Sequence, residues 1–138
     1  MSFKWKDEYS VNVIEIDNQH KRLLELGDEL VDLAMGNQDI DYYDNIVRVL
    51  EELKNYTVYH FGYEEEMMKK YNYNGNEKQS FEHMFFIKKV EKLVRRDVDG
   101  QQREVIMDLL NFVADWISSH ILLEDKKFGE YLNSIGFN

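Results

Sequence analysis

The chain has 138 residues and a formal net charge of −10, from 27 acidic and 17 basic side chains. This charge argues against nucleic acid as the main partner, because phosphate binding requires a basic face. Cysteine is absent, which excludes disulfides, thiolate metal sites and cysteine nucleophiles. Neither an N-terminal signal region nor a run of about 18 apolar residues is present, so we expect a cytoplasmic protein without a membrane span.

The apolar pattern predicts an N-terminal arm and four helices within a single domain, residues 1–138. Residues 1–17 are too apolar for a disordered tail, and we expect them to pack as an arm on a bundle of about residues 18–133. The first helix is predicted to begin after Asp17, a favourable N-cap residue, and to end at Gly36. Three further helices, separated by short polar turns, are predicted over residues 41–71, 77–96 and 101–133. This order predicts an all-α, antiparallel up-down-up-down four-helix bundle.

The second predicted helix carries two polar side chains within an apolar stripe. From Ile46 to Tyr71 the stripe positions alternate by four and three residues, the spacing of a buried helical seam. His60 and Glu64 occupy two of these positions, one turn apart. Burying an unpartnered carboxylate costs on the order of several kcal/mol or forces it to become neutral. A metal ion would compensate this cost, and the alternative is a His–Glu hydrogen bond inside the bundle.

All four histidines of the chain fall on predicted inward faces. His20, His83 and His120 lie on the apolar stripes of the first, third and fourth helices, as His60 does on the second. Bundles with di-iron or di-manganese centres project carboxylates and histidines inward from facing helices. Nitrogen and oxygen ligands without thiolate suit iron, manganese or zinc. The alternative is four core histidines with ordinary polar hydrogen-bond partners.

Two acidic residues follow His120, and helical spacing alone does not decide between them. Glu124 lies four residues on, about 40° round the helix, and Asp125 lies five residues on, about 140° round. Spacing therefore favours Glu124 as the inward acid, although Asp125 lies at the rim of a wide apolar arc.

The order of these motifs resembles the hemerythrin family, specifically its single-domain bacterial members. The matching pieces are Trp5, Ile16-Asp17-Asn18-Gln19-His20, His60-x-x-x-Glu64, Glu82-His83-x-x-Phe86 and Trp116-x-x-x-His120-Ile121-x-x-x-Asp125. Together they cover nearly the whole chain in the family's order.

The resemblance implies two iron ions, Fe²⁺ or Fe³⁺, joined by an oxo or hydroxo bridge. His20 and His60 become ligands of one iron, and His83 and His120 become ligands of the other. Glu64 and Asp125 become the bridging carboxylates, which resolves the choice after His120 in favour of Asp125. A local widening of the helix turn could bring that residue inward.

The third helix departs from the family pattern His-x-x-x-His, because its first position is Gln79. Gln79 could coordinate iron weakly through its amide oxygen, hydrogen-bond a metal-bound water or leave an open position. The alternative is an ordinary polar residue at a helix end, with a site that binds metal poorly. Since an amide oxygen is a poorer donor to Fe²⁺ than imidazole, we expect the iron held by His83 and His120 to be the weaker and more accessible one.

The resemblance implies reversible O₂ binding at a non-haem di-iron centre, in a carrier, store or sensor rather than an enzyme. The apolar pocket that hemerythrins place around O₂ is expected to include Leu24, Ile117 and Ile121. One alternative is a di-iron redox enzyme acting on peroxide, Fe²⁺ or nitric oxide, which is favoured if Gln79 leaves an open iron position. Another is an interaction module in which iron orders the bundle. We expect no nucleic-acid or membrane partner, and a monomer or weak oligomer.

Overall fold

The computed structural model describes residues 3–36, 40–95 and 102–138, and these residues contain helices but no strand. A short 3₁₀ turn, Asp7–Tyr9, lies in the N-terminal arm. The helices that follow are α1 (Ile14–Ala34), α2 (Tyr43–Lys70), α3 (Asn76–Val94), α4 (Gln102–Trp116), a π-helical segment (Ile117–Asp125) and α5 (Lys126–Ser134).

Four long helices form the bundle, because α4, the π segment and α5 follow one another without a break. Helix α1 packs on α2 and α4, and α3 packs on α2 and α4, so the four contacts close a ring. The predicted all-α four-helix bundle is confirmed. The predicted ends of the second and third helices differ from the observed ones by one or two residues.

Helix α1 begins at Ile14, four residues before the predicted start. The prediction of Asp17 as N-cap was wrong, since its backbone N–H already donates to the Val13 carbonyl within the helix. Its carboxylate instead accepts hydrogen bonds from the Ser10 hydroxyl at 2.6 Å and the Val11 backbone N–H at 2.8 Å. Asp17 therefore ties the arm to the first turn of α1, where a negative charge also complements the helix dipole.

The arm packs against the bundle through buried apolar side chains. Phe3 is 4% exposed, and its backbone N–H donates to the Asp28 carboxylate at 2.7 Å. At Gly27 of α1, an added Cβ would lie 3.0 Å from the Phe3 ring, so the missing side chain gives that ring its space. The arm thus adds apolar cover to α1.

Two apolar clusters fill the bundle, and a layer of buried polar residues lies between them along the helices. The larger cluster includes Leu24 of α1 and Phe61 of α2, and the smaller one includes Ile16 of α1 and Met68 of α2. Between these levels lie the buried polar side chains Gln19, His20, His60 and Glu64. The polar layer is therefore closed above and below by apolar packing.

The fourth long helix, Arg103–Ser134, has the length and apolar composition that a membrane span needs. Asp108 and Asp115 interrupt its apolar sequence, which explains why a search for an unbroken apolar run does not find it. Core helices of soluble proteins have the same length and composition, so this feature is weak support for a span.

Candidate metal centre

The structure brings all seven predicted site residues into the polar layer. None of their side chains is more than 1% exposed, and the set comprises His20, His60, Glu64, Gln79, His83, His120 and Asp125. Within the described ranges, their imidazole and carboxylate groups form two clusters whose ligand atoms all lie within 4.8 Å of one another. The first contains His20 and His60, the second contains His83 and His120, and both contain Glu64 and Asp125. This arrangement, in which two histidine pairs share two carboxylates, suits two neighbouring cations.

Asp125, rather than Glu124, faces the cluster because of the π-helical segment. In π geometry the backbone hydrogen bonds connect residues i and i+5, so a turn contains an extra residue and the i+5 side chain returns to the face of residue i. Asp125 is therefore buried beside His120, whereas the carboxylate of Glu124 accepts a hydrogen bond from Lys78 Nζ at 2.7 Å near the surface. The angular argument that favoured Glu124 was wrong, since it assumed 100° per residue throughout.

In the first cluster, histidine nitrogens and carboxylate oxygens lie close together without the geometry of a hydrogen bond. Nε2 of His60 lies 2.7 Å from Oε1 of Glu64, and Nε2 of His20 lies 3.1 Å from Oδ2 of Asp125. Even so, both Glu64 oxygens, Oδ2 of Asp125 and both ring nitrogens of His20 have no hydrogen-bond partner. Buried polar atoms in proteins nearly always have a partner, and leaving one without costs roughly 1–3 kcal/mol. Proximity without hydrogen bonding is what ligands directed at a shared cation would show.

In the second cluster, Gln79 stands beside the two histidines. Nε2 of His120 lies 3.2 Å from Oδ1 of Asp125 and also 3.2 Å from Nε2 of His83. Nε2 of His83 lies 3.7 Å from Oε1 of Glu64. The Gln79 amide donates to Oδ1 of Asp125 at 3.2 Å. Oε1 of Gln79 is buried without a hydrogen-bond partner. Flipping the amide would place Oε1 against Oδ1 of Asp125, and two acceptors cannot hydrogen-bond to each other. The amide oxygen of Gln79 is thus a free acceptor beside the cluster.

Three of the four histidines have a hydrogen-bond partner at Nδ1, on the other side of the ring from the cluster. The pairs and their nitrogen–oxygen distances are His60–Gln19 at 2.7 Å, His120–Glu82 at 2.7 Å and His83–Glu65 at 3.4 Å. Each partner belongs to a helix adjacent to that of its histidine. Such contacts fix the ring and leave Nε2 as the coordinating atom.

Gln19, Glu65 and Glu82 were missed as site residues by the sequence analysis. Gln19 and Glu82 each precede a histidine of their own helix, and Glu65 follows Glu64. The available signal was that each of these polar residues is next to a predicted metal ligand in the sequence. That position did not reveal that each one contacts a histidine of a neighbouring helix.

Two aromatic rings hold the histidines of the second cluster. Phe61 stacks on His83 with 4.0 Å between ring centroids and a 4° interplanar angle. Trp116 stacks on His120 at 4.1 Å and 18°. These contacts restrict ring rotation and cover the cluster with apolar surface.

A small apolar cavity of about 20 Å³ borders the same aromatic residues. Its lining contains the three residues predicted for the apolar pocket, and the full set is Leu23, Leu24, Leu53, Thr57, Phe61, Phe86, Val113, Trp116, Ile117 and Ile121. The Thr57 hydroxyl donates to the Lys54 carbonyl at 2.8 Å, so it is already engaged. A cavity of this size has room for one small molecule, but its lining offers water few hydrogen-bond partners.

In the metal-free chain, burial shifts the pKa values of two histidines and one carboxyl group. Burial lowers the pKa of His60 to about 4, and burial together with the facing His120 lowers the pKa of His83 to about 4. These rings are therefore neutral at pH 7, the form that coordinates metal. Burial raises the pKa of Glu64 well above its usual value, and the nearby Asp125 raises it further.

His120 and Asp125 show the opposite balance. Burial would lower the pKa of His120, but Asp125, Glu64 and Glu82 together raise it to about 9. Burial would also raise the pKa of Asp125, but its contacts with His120 and His20 hold it well below the usual range. In the chain alone these two groups therefore form a buried ion pair, and a bound cation would take the place of the His120 proton.

Comparison with known proteins shows which family the chain belongs to. The model of the hemerythrin HHE cation binding domain matches residues 12–132. The bacteriohemerythrin of Clostridium acetobutylicum is 36% identical over 126 residues, which cover 91% of this chain and 98% of the relative. That of Methylococcus capsulatus is 33% identical over 134 residues, covering 92% and 93%. That of Pseudomonas aeruginosa is 31% identical over 121 residues, covering 88% and 75%. The chain therefore belongs to the hemerythrin family.

Proposed function

We propose that this protein is a non-haem di-iron protein that binds O₂ reversibly, as a carrier, store or sensor rather than as an enzyme. The observation that carries the proposal is the set of buried atoms without hydrogen-bond partners between the two histidine pairs. These atoms include both oxygens of Glu64 and one of Asp125, the two carboxylates common to both clusters. Membership of the hemerythrin family supports iron as the metal.

In this proposal, each histidine pair holds one iron. His20 and His60 would hold the first iron, and His83 and His120 would hold the second. Glu64 and Asp125 would be shared by the two ions. The donor set supports this assignment, because imidazole and carboxylate without thiolate suit iron.

The iron pair would supply the electrons that reversible O₂ binding requires, and the protein would supply the enclosure. Leu24 lies one turn beyond His20, Thr57 lies one turn before His60, and both line the apolar cavity. An apolar lining admits a neutral diatomic molecule while giving water little to bind. Excluding water protects a reactive centre from side reactions.

Metal analysis combined with optical spectra tests the proposal. We expect two irons per chain, and an absorption band that appears when the reduced, anaerobic protein meets O₂ and disappears when argon removes it. Fewer than two irons would contradict the di-iron assignment. A spectrum that changes irreversibly would contradict the carrier role.

A di-iron redox enzyme acting on peroxide, Fe²⁺ or nitric oxide is the second candidate, and Gln79 is the observation that favours it. Because an amide replaces an imidazole beside His83, the second iron would have one weakly held or exchangeable position. Steady catalytic consumption of peroxide or nitric oxide by the reduced protein would support this candidate, whereas a single stoichiometric reaction would support the carrier.

The acidic charge of −10 supports the absence of a nucleic-acid partner. We also propose a single cytoplasmic domain that has no membrane partner and is a monomer or weak oligomer. Sedimentation velocity and cell fractionation test these assignments directly.

A further inference from the structure

The partners at Nδ1 differ in charge between the two histidine pairs. His120 and His83 contact carboxylates, those of Glu82 at 2.7 Å and Glu65 at 3.4 Å. His60 contacts the neutral amide of Gln19 at 2.7 Å. Nδ1 of His20 is buried without a hydrogen-bond partner. One pair is therefore supported by two anions and the other by none.

The neutral partner of His60 is held in its orientation. The amide nitrogen of Gln19 donates to the Glu15 carboxylate at 2.9 Å, which leaves the amide oxygen to accept from His60. Glu15 thus contacts the donor end of Gln19, not the histidine ring. The neutral character of this partner is a fixed feature of the site.

A carboxylate that accepts the Nδ1 hydrogen makes an imidazole a stronger electron donor, and metal affinity falls when such a partner is removed. Stronger donors stabilise the more highly charged oxidation state of the metal. A neutral amide has the same hydrogen-bond geometry but contributes less negative charge. Glu82 should dominate over Glu65, because its contact is 0.7 Å shorter and both side chains are equally exposed, at 30%.

We propose that Glu82, assisted by Glu65, is a positioning residue that stabilises Fe³⁺ at the His83–His120 position. In the one-electron-reduced, mixed-valence form, Fe³⁺ then lies at this position and Fe²⁺ at the His20–His60 position. The inference rests on the proposed di-iron function. The anionic partners of His83 and His120 would also offset the weaker donor that Gln79 presents at this position.

The test compares Glu82→Gln with Glu124→Gln in the full chain loaded with iron. Glu82→Gln keeps an oxygen acceptor for His120 and removes the charge. Glu124→Gln removes the same charge close by, but from a carboxylate that pairs with Lys78 instead of a histidine. Stepwise titration with dithionite gives the potential of each electron. Mössbauer spectra of the half-reduced protein give separate signals for Fe³⁺ and Fe²⁺, and the signal that changes in Glu82→Gln belongs to the His83–His120 position.

We expect Glu82→Gln to weaken Fe³⁺ binding by roughly 10–100-fold. Each tenfold loss of Fe³⁺ over Fe²⁺ affinity raises the one-electron potential by about 59 mV. Glu65→Gln should shift the potential in the same direction by less. Glu124→Gln should leave both the potential and the Mössbauer parameters near those of the wild type.

Three results would overturn the inference. The first is an unchanged potential in Glu82→Gln. The second is a shift in Glu124→Gln as large as that in Glu82→Gln, since general charge would then be the cause. The third is a wild-type chain with fewer than two irons, which would overturn the proposed function as well. Two bound irons with an unshifted potential would overturn this inference alone.

Discussion

The two histidine pairs of the centre are built differently. His20 and His60 project from the regular helices α1 and α2, and their outer partners are neutral or absent. His83 and His120 project from α3 and the π segment, and their outer partners are carboxylates. The second pair also has an amide, Gln79, where the family pattern has a third imidazole.

The second pair shows that the fold accommodates an amide at a position where the family pattern has an imidazole. Gln79 fills the space of a side chain in the polar layer and donates to Asp125, so it keeps the packing. Under the proposed di-iron function, Gln79 would weaken the donor set of the second iron. The carboxylates that contact His83 and His120 would strengthen the same donor set.

The largest expected effect is loss of metal on removing a carboxylate shared by both pairs. Glu64→Ala should lose at least one iron per chain, because each iron loses a ligand and the bridge between them is broken. Metal analysis after desalting measures this loss. Glu66→Ala, two residues away on the exposed face of α2, is the matched control. Two irons retained in the Glu64 variant would rule out a bridging role.

The next comparison separates the two acids that follow His120. Asp125→Ala should also lose at least one iron, whereas Glu124→Ala should keep both, since only Asp125 faces the cluster. Iron content and the visible spectrum provide the measurement. Equal losses in the two variants would show that the π segment does not select the ligand.

Gln79→His should make the two metal positions more alike. The new imidazole lies four residues before His83 on the same helical face. We expect the second iron to bind more tightly by roughly tenfold or more, because even a changed outer partner of a metal ligand alters metal affinity by about 10–100-fold. Autoxidation after O₂ binding should slow. Glu77→His adds an exposed imidazole in the same turn and should change neither property.

If Gln79→His binds iron no better and autoxidises at the wild-type rate, Gln79 does not lie at the iron. The weaker donor would then not distinguish the two positions, and the difference between them would depend on the outer carboxylates alone.

The smallest effect concerns the apolar cavity. Ile121→Val should cost about 0.5–1.5 kcal/mol of unfolding free energy and enlarge the cavity. More room beside the cluster should admit water more often and speed autoxidation modestly. Ile106→Val is the control, since Ile106 is buried in α4 but does not line the cavity. Autoxidation that rises equally in both variants would point to general loosening of the bundle.

Periodic features of the site could be predicted from helical spacing, and non-periodic ones could not. His60 and Glu64 interrupt a regular seam, so their burial follows from helical spacing. The family resemblance pointed to Asp125, but helical spacing did not, because its inward position depends on the π geometry of residues Ile117–Asp125. Asp17 was wrongly predicted as an N-cap, because the same carboxylate can instead accept hydrogen bonds from the preceding arm. The side-chain pairing of Glu82 with His120 depends on helix packing, which intrahelical spacing does not contain.

The most direct test of the account is an anaerobic Fe²⁺ titration of the metal-free chain, followed by O₂ addition and removal. We predict that two Fe²⁺ ions bind per chain, that one O₂ is taken up per iron pair, and that argon recovers both the O₂ and the original spectrum. Binding of one iron, or consumption of O₂ that argon does not reverse, would contradict a paired-iron centre that carries O₂.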